Sequence, residues 1–287
     1  MRQELERREL PSSGQRGESG NRSFAMINLS KRLLSVAGLA GSCKTVADVG
    51  TDHGYIPVHL VLSKKAERAI AMDVNQGPLR RAKEHILQYG LEKQIETRLS
   101  DGCSALRPGE ADVIVIAGMG GALMQRILAQ GKETAQSAGK LVLQPQSEVM
   151  AFRQFLAAGG YRITAEDMVL EDGKYYPVIA AEYAGCRNGE PPVTWGNRGQ
   201  EPCWGGNGTP LSKEPWQPGR LACKFGPILL EQHHPVLKQF LLRQQQQKQK
   251  ILGQLQENAK QDITGRREEL LRDLDDIREA LVLMDGR

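Results

Sequence analysis

The segment Thr45-Val-Ala-Asp-Val-Gly-Thr-Asp-His-Gly-Tyr55 decides the fold of this chain. Its apolar start predicts a buried β-strand that ends at Asp48 and Gly50. In an open parallel α/β sheet, ligands bind at the carboxyl ends of the strands. Gly50 allows a sharp turn and the close approach of a ligand, because glycine has no Cβ atom. Asp52 and His53 follow the turn directly, so this strand end predicts a site for chemistry.

The composition is ordinary for a globular protein of one large domain or two. The chain has 287 residues, of which 40% are hydrophobic and 25% are charged. The sequence has no apolar run of about 18 residues and no apolar segment near its start, so we expect a cytoplasmic protein that does not bind membranes. Five irregularly spaced cysteines predict reduced thiols. The net charge of +4 permits nucleic-acid binding without establishing it.

Apolar runs alternate with helical patterns through the first two thirds of the chain. This alternation predicts right-handed βαβ units and a mostly parallel sheet. The predicted strands are Thr45–Val49, Arg68–Val74, Ile95–Leu99, Asp112–Ala117, Lys140–Gln144, Tyr161–Leu170 and Tyr175–Tyr183. The predicted helices are Leu29–Ala37 with Ser30 as N-cap, Ile56–Ser63, Gly77–Gly90, Ala122–Gln130 and Glu148–Ala158. The last two strands have only a turn at Gly173 between them, which predicts an antiparallel hairpin at one edge.

The composition divides the chain into four parts. Residues 1–25 are charged and have little apolar periodicity, which predicts a disordered leader and makes Met26 a candidate natural start. Residues 26–185 form the predicted α/β domain. Residues 186–226 are rich in Gly, Pro and Asn and hold all three tryptophans, so they predict a linker or insertion, with tryptophan packing or RNA stacking as the alternative. Residues 227–287 predict a helical hairpin.

The predicted hairpin has an asymmetric charge. Two amphipathic helices separated at Gly265 predict antiparallel packing, as in a coiled coil. Residues 235–267 carry seven Lys or Arg against two acids, and residues 268–287 carry three Arg against seven acids. The basic arm, residues 235–267, either contacts the phosphates of a nucleic acid or neutralises its partner helix. The sequence leaves both interpretations open.

Acids follow three successive predicted strands. Asp73 suits hydrogen bonding to ribose hydroxyls, or it caps the helix that Pro78 begins. Asp101 suits the amino group of adenine, or it is a turn residue. Together with Asp48, they are typical of a Rossmann-like methyltransferase. The turn after the first strand has no G-x-G-x-x-G pattern, which argues against a dinucleotide and favours S-adenosylmethionine. The cysteine spacing does not predict a zinc site, and we expect no metal.

Two further strand ends are candidates for the same pocket. Gly118, within Ala117-Gly-Met-Gly-Gly121, frees space and exposes backbone groups beside the methyl donor, or it serves only a tight turn. Gln144 and Pro145 end the fifth strand and present a polar side chain to a substrate, or they simply terminate the strand.

Basic residues on two predicted helices are candidates for phosphate contacts. Lys31 and Arg32 are the stronger pair and Arg153 is a weaker one. The alternative is that these residues are ordinary surface charges on amphipathic helices.

Several motifs together resemble those of a known family, the bacterial tRNA (adenine(22)-N(1))-methyltransferases, called TrmK. The resemblance covers roughly residues 26–185 and 222–287. Its motifs are Leu29-Ser-Lys-Arg-Leu33, Asp48-Val-Gly-Thr-Asp-His-Gly-Tyr55, Asp101-Gly102, Ala117-Gly-Met-Gly-Gly121, Leu143-Gln-Pro145 and Glu171-Asp-Gly-Lys-Tyr-Tyr176. It implies a class I S-adenosylmethionine-dependent enzyme that methylates N1 of adenine in tRNA, with a C-terminal coiled coil that helps to hold the tRNA. The leader and the tryptophan-containing segment depart from the family pattern.

The resemblance also implies roles for individual residues. It implies cofactor contacts at Gly50, Asp73, Asp101 and Gly102. It places Asp52 in the catalytic pocket, with His53 and Tyr55 nearby. A carboxylate at Asp52 suits the positive charge that develops on a methylated adenine, and Tyr55 suits stacking on the base. The alternatives are an N-cap role for Asp52 and a hydrogen bond between His53 and the loop backbone.

Two other functions stay open on the sequence alone. One is a methyltransferase acting on another RNA nitrogen or on a small molecule, and the basic arm favours RNA over a small molecule. The other is a non-catalytic RNA-binding protein with the same fold, which would not need the polar residues at 52–55. tRNA is the expected partner, and the sequence gives no sign of an obligate protein partner.

Overall fold

The computed structural model describes residues 27–185, 219–257 and 264–286, and its centre is a seven-stranded sheet. The strands are β1 (Cys43–Val49), β2 (Ala66–Asp73), β3 (Ile95–Leu99), β4 (Val113–Met119), β5 (Lys140–Pro145), β6 (Tyr161–Glu171) and β7 (Lys174–Tyr183). Their order is β3-β2-β1-β4-β5-β7-β6. The first five pair in parallel, and β7 lies antiparallel to both β5 and β6. The predicted mostly parallel sheet and its terminal hairpin are confirmed.

Helices cover both faces of the sheet and form the C-terminal part. They are α1 (Lys31–Ala40), α2 (Tyr55–Leu62), α3 (Gln76–Gln88), α4 (Gly121–Gln130), α5 (Lys132–Ser137), α6 (Val149–Ala158), α7 (Arg220–Phe225), α8 (Pro227–Glu231), α9 (Pro235–Glu257) and α10 (Thr264–Met284). Ser30 caps α1 as expected, since its hydroxyl accepts the N–H of Leu33 at 3.3 Å. Helix α5 was not predicted, because six residues are too few for a helical period to stand out.

The core has one apolar layer on each face of the sheet. Val36, Ile56 and Ile86 of α1, α2 and α3 lie in one layer. Met124 of α4 and Phe152 of α6 lie in the other. The strands between them carry continuous apolar runs, because both of their faces are buried. Because helices cover both faces of the sheet, a ligand can approach it at the carboxyl ends of the parallel strands, where the connecting turns lie.

The described end of the expected linker is helical. Residues 219–226 contain α7, and α7 packs on α6. Arg153 of α6 donates to the carbonyl of Cys223 at 3.1 Å. A short segment of this kind has weak helical periodicity, so tertiary packing decides its conformation. The predicted leader and the three tryptophans lie outside the described residues.

The C-terminal helices form the predicted antiparallel hairpin. Lys238 pairs with Asp285 at 2.7 Å and Lys248 with Asp273 at 2.5 Å, so the residue numbers run in opposite directions along α9 and α10. The hairpin shares a third apolar cluster with β6, α7 and α8, whose buried members are Met168, Phe225, Leu229, Leu230, Leu237, Leu241, Ile277, Ala280 and Met284. The hairpin is therefore docked on the sheet domain. Among the described helices, none combines the length and apolarity needed to cross a membrane.

Candidate functional site

The three acidic strand ends meet at one edge of the sheet. Asp48 lies near the end of β1, Asp73 ends β2, and Asp101 follows β3. The parallel register pairs Asp48 with Ala71, two residues before Asp73, and pairs Asp73 with Leu99. These neighbouring strands therefore direct three carboxylates to the edge where open α/β sheets bind ligands.

Asp48 is the buried acid of this group. Its carboxyl is almost fully buried, and burial raises its pKa to about 6; the Thr51 hydroxyl opposes the shift and the Asp73 charge adds to it. A buried carboxylate without a positive partner is unfavourable. A cation bound at this edge would restore the ionised form of Asp48.

Asp73 and Asp101 retain free acceptor oxygens. Asp73 Oδ1 accepts the N–H of Asn75 at 2.7 Å, and no donor among the described residues bonds its second oxygen. The N-cap of α3 is Asn75, so Asp73 is not the cap of this helix. Asp101 is exposed, and its carboxylate has no hydrogen-bond partner within the part of the chain that the structure describes. Both acids can therefore accept hydrogen bonds from a ligand.

Gly50 suits glycine because its backbone is left-handed and the Met119 side chain lies close over it. Its φ is +78°, and a Cβ atom there would lie 2.0 Å from Cε of Met119. Met119 is the last residue of β4, so its side chain reaches from the end of β4 to the end of β1. Gly102 lies in the turn after β3, against Ile127 of α4. These contacts set how closely the turns approach one another at this edge of the sheet.

The Gln144 side chain is buried and bonds other parts of the protein, so it is not exposed to a substrate. Its side chain is fully buried, and Oε1 accepts from Arg32 Nη1 at 3.0 Å and from the N–H of Gly118 at 3.1 Å. Its Nε2 donates to the carbonyl of Pro145 at 3.2 Å, and Pro145 is also buried. The structure therefore does not place Gln144 or Pro145 where they could touch a substrate directly. Gln144 fixes Gly118 in its left-handed conformation, with φ +79°.

Arg32 and Lys31 lie at the start of α1, near Gln144. The Arg32 guanidinium stands over the ring of Tyr176, 5.6 Å from its centroid. The backbone N–H of Lys31 donates to Glu171 Oε1 at 2.6 Å, and its side chain is exposed. Arg32 is thus held by two partners, whereas the Lys31 ammonium has no partner among the described residues and could meet a phosphate.

The prediction that Arg153 contacts a phosphate is wrong. Its guanidinium is buried and pairs with buried Glu166 at 2.8 Å. Arg153 lies on α6, and β6 and α7 cover its side chain through Glu166 and the carbonyl of Cys223. The residue joins parts of the fold instead of meeting solvent.

The turn between β1 and α2 presents the predicted catalytic residues. Asp52 is 68% exposed, and its Oδ1 accepts from Arg81 Nη2 at 3.0 Å. His53 stacks on Tyr55 with ring centroids 5.2 Å apart and an interplanar angle of 18°. Gly54 is the N-cap position of α2, so Asp52 does not cap this helix. A carboxylate and a two-ring stack therefore lie next to the acidic strand ends.

Two residues of α3 contact this turn and were missed from the sequence. Arg81 bonds Asp52, and His85 Nδ1 lies 2.9 Å from the carbonyl oxygen of His53. Their spacing of four along one helix face was a usable signal. Their target could not be inferred, because the turn and α3 are separated by β2. Among the described residues, no group of three His, Cys, Asp or Glu side chains is arranged to hold a metal ion.

The strand order and the acidic edge define the class of this protein as a Rossmann-like methyltransferase, and a family model described as a methyltransferase domain matches residues 29–179. The tRNA (adenine(22)-N(1))-methyltransferase of Bacillus subtilis (strain 168) is 41% identical over 156 residues, which are 54% of this chain and 66% of that protein, just under two thirds of its length. The solved B. subtilis M1A22 tRNA methyltransferase TrmK has a TM-score of 0.68 and 30% identity, covering 88% of this chain and 98% of that one. The chain belongs to the TrmK family.

The acidic edge fits the cofactor of this class. S-adenosylmethionine offers donors and positive charge: an ammonium group, a sulfonium, ribose hydroxyls and an adenine amino group. Asp48, Asp73 and Asp101 supply acceptors only, and Gly118 after them in the sequence is exposed. The TrmK structure from M. capricolum was solved with S-adenosyl-homocysteine, has a TM-score of 0.68 and 25% identity, and covers 89% of this chain and 99% of that one.

Replacing Asp48 with asparagine is expected to remove a pH dependence. The folded pKa of about 6 lies above the usual 3.8, so folding binds a proton between these values. Asp48 therefore lowers the stability of the free protein as pH rises from about 4 to 6, by on the order of 3 kcal/mol. Affinity for the cationic cofactor should rise over the same range. Urea unfolding and calorimetry at pH 5 and 7.5 measure both effects. Equal pH dependence in Asp48→Asn and the unmodified protein would contradict this role.

Proposed function

We propose that this protein transfers a methyl group from S-adenosylmethionine to N1 of an adenine in tRNA, at position 22 as in the relatives' name. The observation that carries the proposal is the exposed Asp52–Tyr55 turn beside an edge of hydrogen-bond acceptors, in a chain of the TrmK family. Asp48, Gly50, Asp73, Asp101, Gly102 and Gly118 would hold the cofactor, which supplies an electrophilic methyl group when bound. The Asp52 turn would receive the base.

The chain's own residues have mainly a positioning task. Adenine N1 carries a lone pair, so it needs alignment more than activation. The flat stack of His53 and Tyr55 offers a face for the base, and Tyr55 is 36% exposed. The target base must leave its stack in the tRNA, which costs a few kcal/mol. Stacking at the turn offsets part of that cost.

Asp52 supplies the electrostatic part of the mechanism. N1-methylated adenine is a cation, and a carboxylate stabilises a positive charge that develops beside it. The carboxylate can also accept a proton from the exocyclic amino group of the base. Arg81 holds Asp52 in place through one oxygen, and the second oxygen stays available for the base.

The hairpin contributes less free positive charge than its sequence suggests. Lys238 and Lys248 pair with acids of α10, and Arg266 pairs with Glu269. These pairs favour the interpretation that α9 neutralises α10. Within the described parts of the hairpin, Lys250 and Arg267 are exposed and have no ion-pair partner. A contact between the hairpin and tRNA phosphates would depend on such residues.

The function is tested by methylation with a labelled cofactor. A tRNA transcript with adenine at position 22 should incorporate about one methyl group per molecule, and mass spectrometry should locate 1-methyladenosine there. A transcript with guanine at position 22 is the matched control and should stay unmodified. Methylation at another nitrogen would support the rival RNA methyltransferase. No incorporation together with tRNA binding would support the non-catalytic alternative.

A further inference from the structure

Helix α3 holds the 52–55 turn through three successive contacts. Arg81 donates to Asp52 at 3.0 Å. A Cβ atom on Gly54 would lie 3.3 Å from Cβ of Ala82, so the turn backbone rests directly on the helix. One helical turn after Arg81, His85 Nδ1 lies 2.9 Å from the carbonyl oxygen of His53. Each part of the turn therefore has its own support on α3.

The turn needs this support because its backbone is strained. His53 has a φ of +59° and Gly54 a φ of +66°. Glycine adopts this left-handed region freely, but a residue with a Cβ atom is disfavoured there. Such a conformation persists only where surrounding contacts hold it, and strain of this kind clusters at functional sites. The hydrogen bond from α3 to the backbone of His53 comes from His85.

The hydrogen bond defines which nitrogen of His85 carries a proton. A backbone carbonyl oxygen only accepts, so His85 Nδ1 must be the donor. The same ring meets Tyr55 edge-on, with centroids 5.2 Å apart at 82°. On its other side it meets Tyr89 at 5.0 Å and 82°. His85 thus bonds the backbone before the Tyr55 ring and contacts that ring as well.

We propose that His85 is a positioning residue for methyl transfer. It holds the His53 carbonyl so that the turn presents Asp52 and the His53–Tyr55 stack in a reactive arrangement. The proposal deepens the function proposed above and rests on it. His85 acts through the turn and makes no contact with the reacting atoms.

Two substitutions separate the hydrogen bond from the ring. Asparagine places an N–H donor at the same branch position as His Nδ1 but has no ring, whereas phenylalanine keeps a ring and has no donor. We expect His85→Phe to lower kcat about 100-fold, because a misplacement of about 1 Å has that effect in enzymes. His85→Asn should stay within about 5-fold, since an edge contact between rings contributes little. Cofactor affinity should change in neither variant.

Two further measurements keep the test independent of folding and of the substrate. His59→Asn changes a half-buried histidine of α2 that makes none of the contacts above, and its kcat should match that of the unmodified protein. Hydrogen exchange at the amides of residues 53–56 should accelerate in His85→Phe but not in His85→Asn. Turnover of His85→Phe within 5-fold of the unmodified protein, or equal losses in both His85 variants, would overturn the proposal. An unmodified protein inactive on tRNA would refute the proposed function instead, and the exchange measurement would still test His85.

Discussion

Asp52→Ala is expected to lower kcat by about 100-fold or more and to leave cofactor affinity nearly unchanged. Asp52 lies on the turn after β1, and its carboxylate is exposed beside the acidic strand ends. Removing it takes away the negative charge that would face the methylated base. Single-turnover methylation of a tRNA transcript measures the chemical step, and calorimetry measures cofactor binding.

Asp52→Asn is the matched comparison. The amide keeps the size of the side chain and can still accept a hydrogen bond from Arg81, but it has no charge. We expect Asp52→Asn to lower kcat almost as much as Asp52→Ala, because the negative charge is what stabilises the methylated base. Turnover of either variant near that of the unmodified protein would remove the Asp52 carboxylate from the mechanism.

Glu166→Gln is expected to destabilise the protein by about 3–5 kcal/mol, because it leaves a buried guanidinium without its counter-charge. Arg153 and Glu166 are 2% and 0% exposed, and their charged atoms are 2.8 Å apart. Glu166 Oε2 also accepts the N–H groups of Ile228 at 3.0 Å and Leu229 at 3.4 Å. The pair therefore joins α6 and β6 to the start of the C-terminal part. Urea unfolding followed by circular dichroism measures the loss.

Glu182→Gln is the control for this substitution. Glu182 pairs with Arg162 at 3.7 Å, and both side chains are exposed. Arg162 lies on the same strand as Glu166, so the two tests differ chiefly in burial. An exposed pair contributes roughly 0–1 kcal/mol. Similar losses in both variants would contradict a special role for the buried pair.

Much of the sheet was predictable because its strands carry a local signal. The predicted strand Ile95–Leu99 matches β3 in both bounds, and the other strands differ by a few residues at their ends. Continuous apolar runs bounded by Gly, Asp and Pro predict buried parallel strands without knowledge of their neighbours. The short α5 and α7 had no such signal.

The candidate site was predictable only in part. Position at a strand end follows from the sequence, so Asp48, Asp73 and Asp101 could be selected together. Whether a side chain at a strand end is buried does not follow from the sequence. Gln144 resembles an available polar group in the sequence, yet Arg32 and Gly118 enclose its side chain.

The sequence by itself determined the α/β class, the acidic edge and the composition of the 52–55 turn, because these depend on residues close together in the chain. Only the tertiary structure decided that Asp52 and His53 are held by Arg81 and His85. It also decided that four of the eight described Lys and Arg side chains of α9 and α10 pair with acids, and that Arg153 is internal. These features arise from contacts between segments distant in sequence, and local periodicity carries no information about which segments meet.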